Sequence, residues 1–354
     1  MTGTVDYIIV GQGLAGSALA LESIKRGKTV MVFDEPEANR ASVTAAGICN
    51  PITGKVMTRS YLADKLFPFL QSWYPEAESI LGERFFRPLP VYRPFLSVQE
   101  RQQWEERSSE ADFRPFVRLR TTPLHEDKMV NPFGGLEILQ SGVLNVVHWV
   151  ASVRSLLKEK GMYAECRFNE SEVRVADRIT VQGISATHLI YCNGISARQS
   201  PWFGWLPLRP LKGETLTMRM QLPEDRIISR GVYAVPLPEP GTFVVGSTYQ
   251  HEPFAQGVSE EGRRQVLDRF AKLFRTPAEV IHQDWGIRPT VTDRRPLLGR
   301  HPQVENVIIF NGLGTKGVSL APYFASVLLD WIERDAPLPA EVNISRFKSL
   351  YSNG

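Results

Sequence analysis

Glycines at 11, 13 and 16 stand between an apolar run, Val5 to Val10, and a helical stretch, Ser17 to Lys25. No other feature restricts the chain as much. A short continuous apolar run suits a strand buried on both faces. A Gly-x-Gly-x-x-Gly between such a strand and a helix lets backbone amides and the helix N-terminus meet a pyrophosphate. Leu21 and Ile24 share one side of the helix, Gly27 ends it, and Thr29 to Phe33 supplies a second β-rich run. That run closes on Asp34, 18 residues after Gly16, placed to accept from a ribose hydroxyl. A glycine turn chosen for packing, with Asp34 a surface cap, is the bland alternative. The full strand–turn–helix–strand–acid order predicts a dinucleotide site using Gly11, Gly13, Leu14, Ala15, Gly16 and Asp34.

The end of the chain returns to the same style. Asn306 to Phe310 is an apolar strand, Gly312 to Gly317 a second glycine-rich loop, and a helix is expected from about Ala321 to Ile332. A nicotinamide enzyme has no need of this repeat. A flavin does, because its reduced form carries negative charge near N1 and the C2 carbonyl, which a helix N-terminus with Lys316 beside it can stabilise. FAD is therefore the expected cofactor, with Gly312, Gly314, Thr315, Lys316 and Gly317 near its ring.

Between these ends the character changes. Helical spacing appears around Leu62, Leu66 and Leu70, and Val143 to Lys160 reads as a strand end followed by an amphipathic helix. Thr187 to Cys192 is a buried strand running into Asn193-Gly194. Thr215 to Met220 alternates as a half-exposed antiparallel strand, and Tyr233–Leu237 and Thr242–Ser247 are two more, joined by Pro-Glu-Pro-Gly. Ser259 is the expected cap of a helix to Phe274.

With 41 Lys and Arg against 38 Asp and Glu, the +3 excess argues against a dedicated polyanion binder and leaves a local basic patch open. The three cysteines, 49, 166 and 192, form no Cys-x-x-Cys, so neither a disulfide framework nor a zinc knuckle is expected. No run reaches membrane-spanning length, the apolar N-terminus lacks the basic start of a secretory signal, and cytoplasm is the expected location.

Six stretches in this order resemble the D-amino acid oxidase superfamily of FAD enzymes, most of all its glycine oxidase and sarcosine oxidase branch. They are the fingerprint with Asp34; Ala41 to Gly47, similar to the family's loop under the flavin; Leu189 to Gly194; Leu208 to Glu214, similar to a Pro-x-Arg-Gly-Gln turn with Lys212 for arginine; Tyr233 to Thr248; and Trp285 through Arg288, Asp293 and Gly299. The resemblance implies an α/β fold, α+β overall: a discontinuous Rossmann-like FAD domain (1–80, 140–206, 286–354) and an antiparallel-sheet substrate domain (81–139, 207–285). It adds Ser42, Ala45, Ala46, Gly47, Val173, Asn193 and Gly194 to the FAD site. It makes Arg288 the anchor of a substrate carboxylate, which a planar guanidinium fork suits, and Tyr233 a second donor to that group. An arginine paired internally with Asp293 is the competing reading of Arg288.

The expected activity is oxidation of a small amino acid or secondary amine (glycine, sarcosine or D-amino acid class) to an imine, with O2 as acceptor and no side-chain base nominated. The C-terminal loop departs from the branch's Gly-His-x-Arg-x-Gly. The segment 47–58 resembles instead the oxidase domain of a tRNA wobble-uridine modifying enzyme, which would use the arginines between 84 and 120. A dehydrogenase with another electron acceptor and a flavoprotein without turnover are the remaining alternatives. Cys49 is read as a small buried residue, so FAD is expected to be held non-covalently.

Overall fold

The computed structural model describes residues 3–36, 41–54 and 56–351. Two large sheets organise the chain. The first has eight strands and a parallel centre: Tyr163–Glu165, Val30–Asp34, Gly3–Val10, Ile184–Tyr191 and Val304–Asn311 pair in that order. All four pairings are parallel because helices make the crossovers, and the central residues Ile8, Ile9, Leu189, Ile190, Ile308 and Ile309 are fully buried. The sheet thus joins the beginning, middle and end of the chain. Helices Leu14–Lys25, Val146–Glu159 and Gly317–Arg334 cover it.

The last helix starts four residues earlier than expected, at Gly317 instead of Ala321. Pro322 is the reason for the difference. Proline is best tolerated in a first turn, yet here it is the sixth residue and cannot donate to the Val318 carbonyl. The buried Tyr74 hydroxyl donates to that carbonyl instead, at 2.7 Å, so no orphan acceptor remains.

The second sheet has nine strands and is antiparallel except for one pair, Ile227–Ser229 with Val91–Pro94. Its spine is Leu208–Met220 against Ala278–Val291, paired along nearly their whole lengths. Two expectations change here. Leu208 to Glu214 is strand, not turn, and it continues into Thr215–Met220, where only Arg219 is exposed. Ala278–Val291 carries His282, Gln283 and Asp284 and shows no apolar pattern; its partner strand imposes the conformation. This strand crosses residue 285/286 without a break. Tyr233–Pro236 and Thr242–Gly246 form the expected hairpin. Helix Glu260–Leu273 is capped by Ser259, whose side chain accepts from Gly262 N. Among the described residues no helix is long and apolar enough to cross a membrane.

Candidate active site

The nucleotide side is built from close backbone approaches. Gly11 has φ +92°, and a Cβ there would stand 2.9 Å from Asn193 Cα and the Cys192 carbonyl oxygen. A Cβ on Gly16 would overlap the Gly11 carbonyl, and one on Gly13 would stand 2.8 Å from Ser42 Oγ. Ser42 Oγ also accepts from Leu14 N at 3.0 Å, so the 41–47 loop sits against the N-terminus of helix Leu14–Lys25. Gly13 offers that helix no side-chain cap, so beyond Leu14 N, which Ser42 takes, the amides of Ala15 and Gly16 face a ligand. Asp34 is buried at the end of its strand rather than capping the surface. It accepts from Gln12 N (2.8 Å) and Tyr163 Oη (3.1 Å), with Arg154 Nη2 3.6 Å away.

The C-terminal loop reaches the same place. Asn311 Nδ2 donates to the Gly194 carbonyl and Asn311 Oδ1 accepts from Gly312 N, both at 2.8 Å. Gly194, Gly312 and Gly314 all have positive φ. A Cβ on Gly317 would lie 2.7 Å from Leu14 Cδ1, so the two helix N-termini meet. Lys316 Nζ donates to Ser60 Oγ at 3.2 Å; burial lowers its pKa, and the charges of Arg295 and Arg294 add to the effect. Thr315 is exposed. Gly47 packs against the Leu144 carbonyl, beside a half-buried Ala46 and an exposed Ala45. Val173 follows a short turn, Glu170–Glu172, and packs on the cluster containing Val10, Phe33 and Tyr191, across the first sheet.

Strand register builds the other side. Residues opposite one another in an antiparallel pair share a face. Leu211 faces Arg288, Gly213 faces Gly286, Thr215 faces Gly246, and Gly246 faces Tyr233. One face therefore carries Arg288 and Tyr233 over a floor of three glycines. The Arg288 guanidinium lies flat on Gly213, where a Cβ would overlap it. Nη2 donates to Ser247 Oγ at 3.0 Å, Nη1 lies 3.4 Å from the Thr248 carbonyl, and the Tyr249 ring covers the group at 5.0 Å. Among the described residues no carboxylate lies within ion-pair distance of Arg288; Asp293 accepts from Arg346 Nε at 2.8 Å instead. Tyr233 Oη is 3.0 Å from where a Cβ of Gly246 would be. Burial pushes its phenol up to about 12, against the pull of the Arg288 charge, so it keeps its proton near neutrality. Thr44 Oγ1 fills the Cβ position of Gly286, which joins this face to the loop that also touches Leu14.

Lys212 points to the opposite face. It pairs with Glu214 at 3.0 Å, both fully buried, and Glu214 accepts from Ser259 N and Oγ (2.8 Å each) and Gln283 Nε2 (2.7 Å). The pair anchors helix Glu260–Leu273 and stays away from Arg288. Five of the arginines between 84 and 120 are paired with acids. Arg84 meets Glu78, Arg93 and Arg101 meet Glu100 and Glu105, and Arg118 and Arg120 converge on buried Glu137. Cys49 is buried beside Ser319 Oγ, 3.6 Å away, and burial pushes its thiol up to about 12, far from a thiolate.

Tyr163, Arg154 and Asn311 escape a motif reading, and Gln12, Gly213, Gly246 and Gly286 lie within quoted motifs without being singled out as site residues. The glycines could have been found from the two-residue period that sets Gly286 beside Arg288. The partners of Asp34 are contributed by distant segments and leave no local signal.

Two helix N-termini in contact, a glycine cradle and, across a glycine floor, a guanidinium with no ion-pair partner among the described residues fit a ligand with a pyrophosphate at one end and a charge-accepting ring at the other. Comparison with known proteins agrees. A family model described as FAD dependent oxidoreductase matches residues 6–331. The glycine oxidase of Geobacillus kaustophilus is 25% identical over 364 residues, covering 94% of each chain. The bifunctional protein ThiO/ThiG of Trichormus variabilis is 24% identical over 99% of this chain and 56% of its own length. The chain thus spans about half the length of the first curated relatives it matches. The crystal structure of the Geobacillus glycine oxidase has the same fold, with a TM-score of 0.78 at 21% identity over 98% of each chain.

Proposed function

The chain belongs to the FAD dependent oxidoreductase family, and from that premise we propose that it oxidises a small amino acid or N-substituted glycine to an imine, with O2 as the electron acceptor. FAD is its cofactor. The observation that carries the substrate class is Arg288: a guanidinium with no carboxylate partner among the described residues, stacked between Gly213 and Tyr249 on the face that Thr44 of the loop 41–47 reaches.

In this reading residues 1–80, 140–206 and 286–354 hold FAD, while 81–139 and 207–285 with Arg288 hold the substrate. The first-turn amides of helix Leu14–Lys25 take the pyrophosphate, and Asp34 takes the adenosine ribose. Ser42 and Ala45 to Gly47 line the flavin, with Asn193, Gly194, Gly312, Gly314 and Thr315 at its edge and Val173 toward the adenine. Lys316 and the start of helix Gly317–Arg334 face the ring edge where negative charge develops. FAD, when bound, supplies a two-electron acceptor. The residues of the chain supply position: Arg288 binds the carboxylate through its free N–H edge, and Tyr233 donates a second hydrogen bond to it. The three glycines keep that face shallow enough for the substrate carbon to lie against the ring. The amine binds neutral, loses hydride from carbon and a proton from nitrogen, and water then hydrolyses the imine.

Anaerobic bleaching of the flavin tests the reading. Glycine, sarcosine, D-alanine, D-proline and a carboxymethylaminomethyl nucleoside form the panel, and reoxidation by O2 is followed separately. At least one carboxylate-bearing amine is expected to bleach the flavin. A flavin that only neutral amines reduce contradicts the substrate class. FAD is held non-covalently, since the only cysteine beside the flavin loop is buried and protonated; acid precipitation is expected to leave a white pellet.

A further inference from the structure

Two cations beside the C-terminal glycine loop, Arg294 and Arg295, have no role in the reaction just described, and both act on Lys316 at the flavin edge. Arg294 and Arg295 follow the substrate strand, and Lys316 heads the last helix. The two loops are tied together, because Gly314 N donates to the Pro289 carbonyl at 3.0 Å. Consecutive residues seat two of the cations: Ser60 Oγ takes Lys316 Nζ at 3.2 Å, and the Tyr61 ring lies 4.0 Å under Arg295 Cζ. Arg294 is exposed and holds φ +58°, a conformation more usual for glycine or asparagine.

None of the three has a carboxylate within ion-pair distance among the described residues. Asp293 is held by Arg346, and Glu341 acts only at longer range, on the Tyr61 ring that Arg295 covers. Like charges held together without counter-ions repel, and each raises the cost of the others. The lowered pKa of Lys316, set by burial and then by Arg295 and Arg294, reports that repulsion. A bound anion would relieve it. FAD's pyrophosphate already has a cradle at Gly11–Gly16, and the substrate carboxylate has Arg288. These cations therefore call for a third anionic group.

We propose that Arg294 and Arg295 form a phosphate-binding site beside the active site, next to Lys316, which holds a phosphate carried by the amine substrate. The proposal rests on the amine-oxidase reading and narrows it: the preferred substrate is a phosphorylated amino acid or a nucleotide-linked amine, not free glycine. A planar Arg295 stacked on Tyr61 and an exposed Arg294 can grip phosphate oxygens from two sides.

Calorimetric titration of the FAD-loaded protein tests this, using inorganic phosphate at low ionic strength with chloride as the control. The wild type is expected to bind phosphate, and the Arg294→Ser/Arg295→Ser double variant to bind it roughly tenfold more weakly or worse, at equal FAD content. A short single-stranded oligoribonucleotide separates the sources. Much tighter, steeply salt-dependent binding of the oligomer points to a polymer phosphate, and binding no tighter than phosphate points to a small substrate. Absence of phosphate binding in the wild type overturns the proposal, as does equal binding by the variant. Loss of FAD in the variant also overturns it, since the cations would then serve the cofactor. A carboxylate ligand without an amine, such as methoxyacetate, reports on Arg288 in the same samples. If it still perturbs the flavin spectrum while phosphate does not bind, the phosphate site fails and the oxidase reading stands.

Discussion

The nucleotide cradle and the substrate face use the same residue for opposite ends. At Gly11 and Gly16 the missing side chains let one backbone press on another, and at Gly13 the Ser42 hydroxyl comes in to take the Leu14 amide. At Gly213, Gly246 and Gly286 they make room for other side chains: Arg288, Tyr233 and Thr44 occupy the volume. The first arrangement has its glycines, strand and helix within residues 3–34 and is closed by Ser42, Cys192 and Asn193. The second needs four strands in register and a loop nearly two hundred residues away in sequence. A cradle made of backbone cannot adjust, whereas a floor covered by flexible side chains can.

Parallel glycine substitutions sharpen that contrast. Gly16→Ala has the largest expected effect, because its Cβ meets the Gly11 carbonyl, a backbone atom. The cost should exceed the ~1–3 kcal/mol of ordinary overpacking, and the purified protein should lack FAD by absorbance. Gly213→Ala should leave FAD content unchanged, because the overlap is with the end of the Arg288 side chain. The displaced guanidinium should raise half-saturation for a carboxylate-bearing amine by about 10- to 100-fold, or ~1.4–2.8 kcal/mol. If Gly213→Ala loses FAD instead, the two regions are not separable as described. Tyr233→Phe should do least, ~0.5–1.5 kcal/mol in substrate affinity for one hydrogen bond, with FAD retained.

The same contrast explains what the sequence made legible. Strand Gly3–Val10, the glycine turn and Asp34 were readable because apolar run, punctuation and acid lie side by side. The capped helix Glu260–Leu273 was readable for the same reason. Strand Ala278–Val291 was not, since half its residues are polar and its partner fixes its conformation. Leu208–Glu214 looked like a turn because Pro210 and Gly213 are turn residues in isolation; in the sheet Gly213 is there for Arg288. Nor could local sequence say that Tyr74 would supply the bond missing at Pro322, or that Glu137 would gather the arginines of the middle segment. Arg288 stood out by resemblance, but its freedom from Asp293 is a property of the fold alone.

That freedom is the centre of the account, and one measurement reaches it most directly. Anaerobic flavin reduction by the best carboxylate-bearing amine should be compared in wild type, Arg288→Lys and Arg288→Ala, each checked for FAD content. Removing one partner of a desolvated charge pair typically costs ~2–5 kcal/mol, so Arg288→Ala should lose a factor of about 30 to several thousand in apparent affinity. Arg288→Lys should recover only part of it, because a point charge cannot reproduce the planar fork. If Arg288→Ala keeps its FAD and is reduced with wild-type rate and half-saturation, the carboxylate is not held there and the account is wrong.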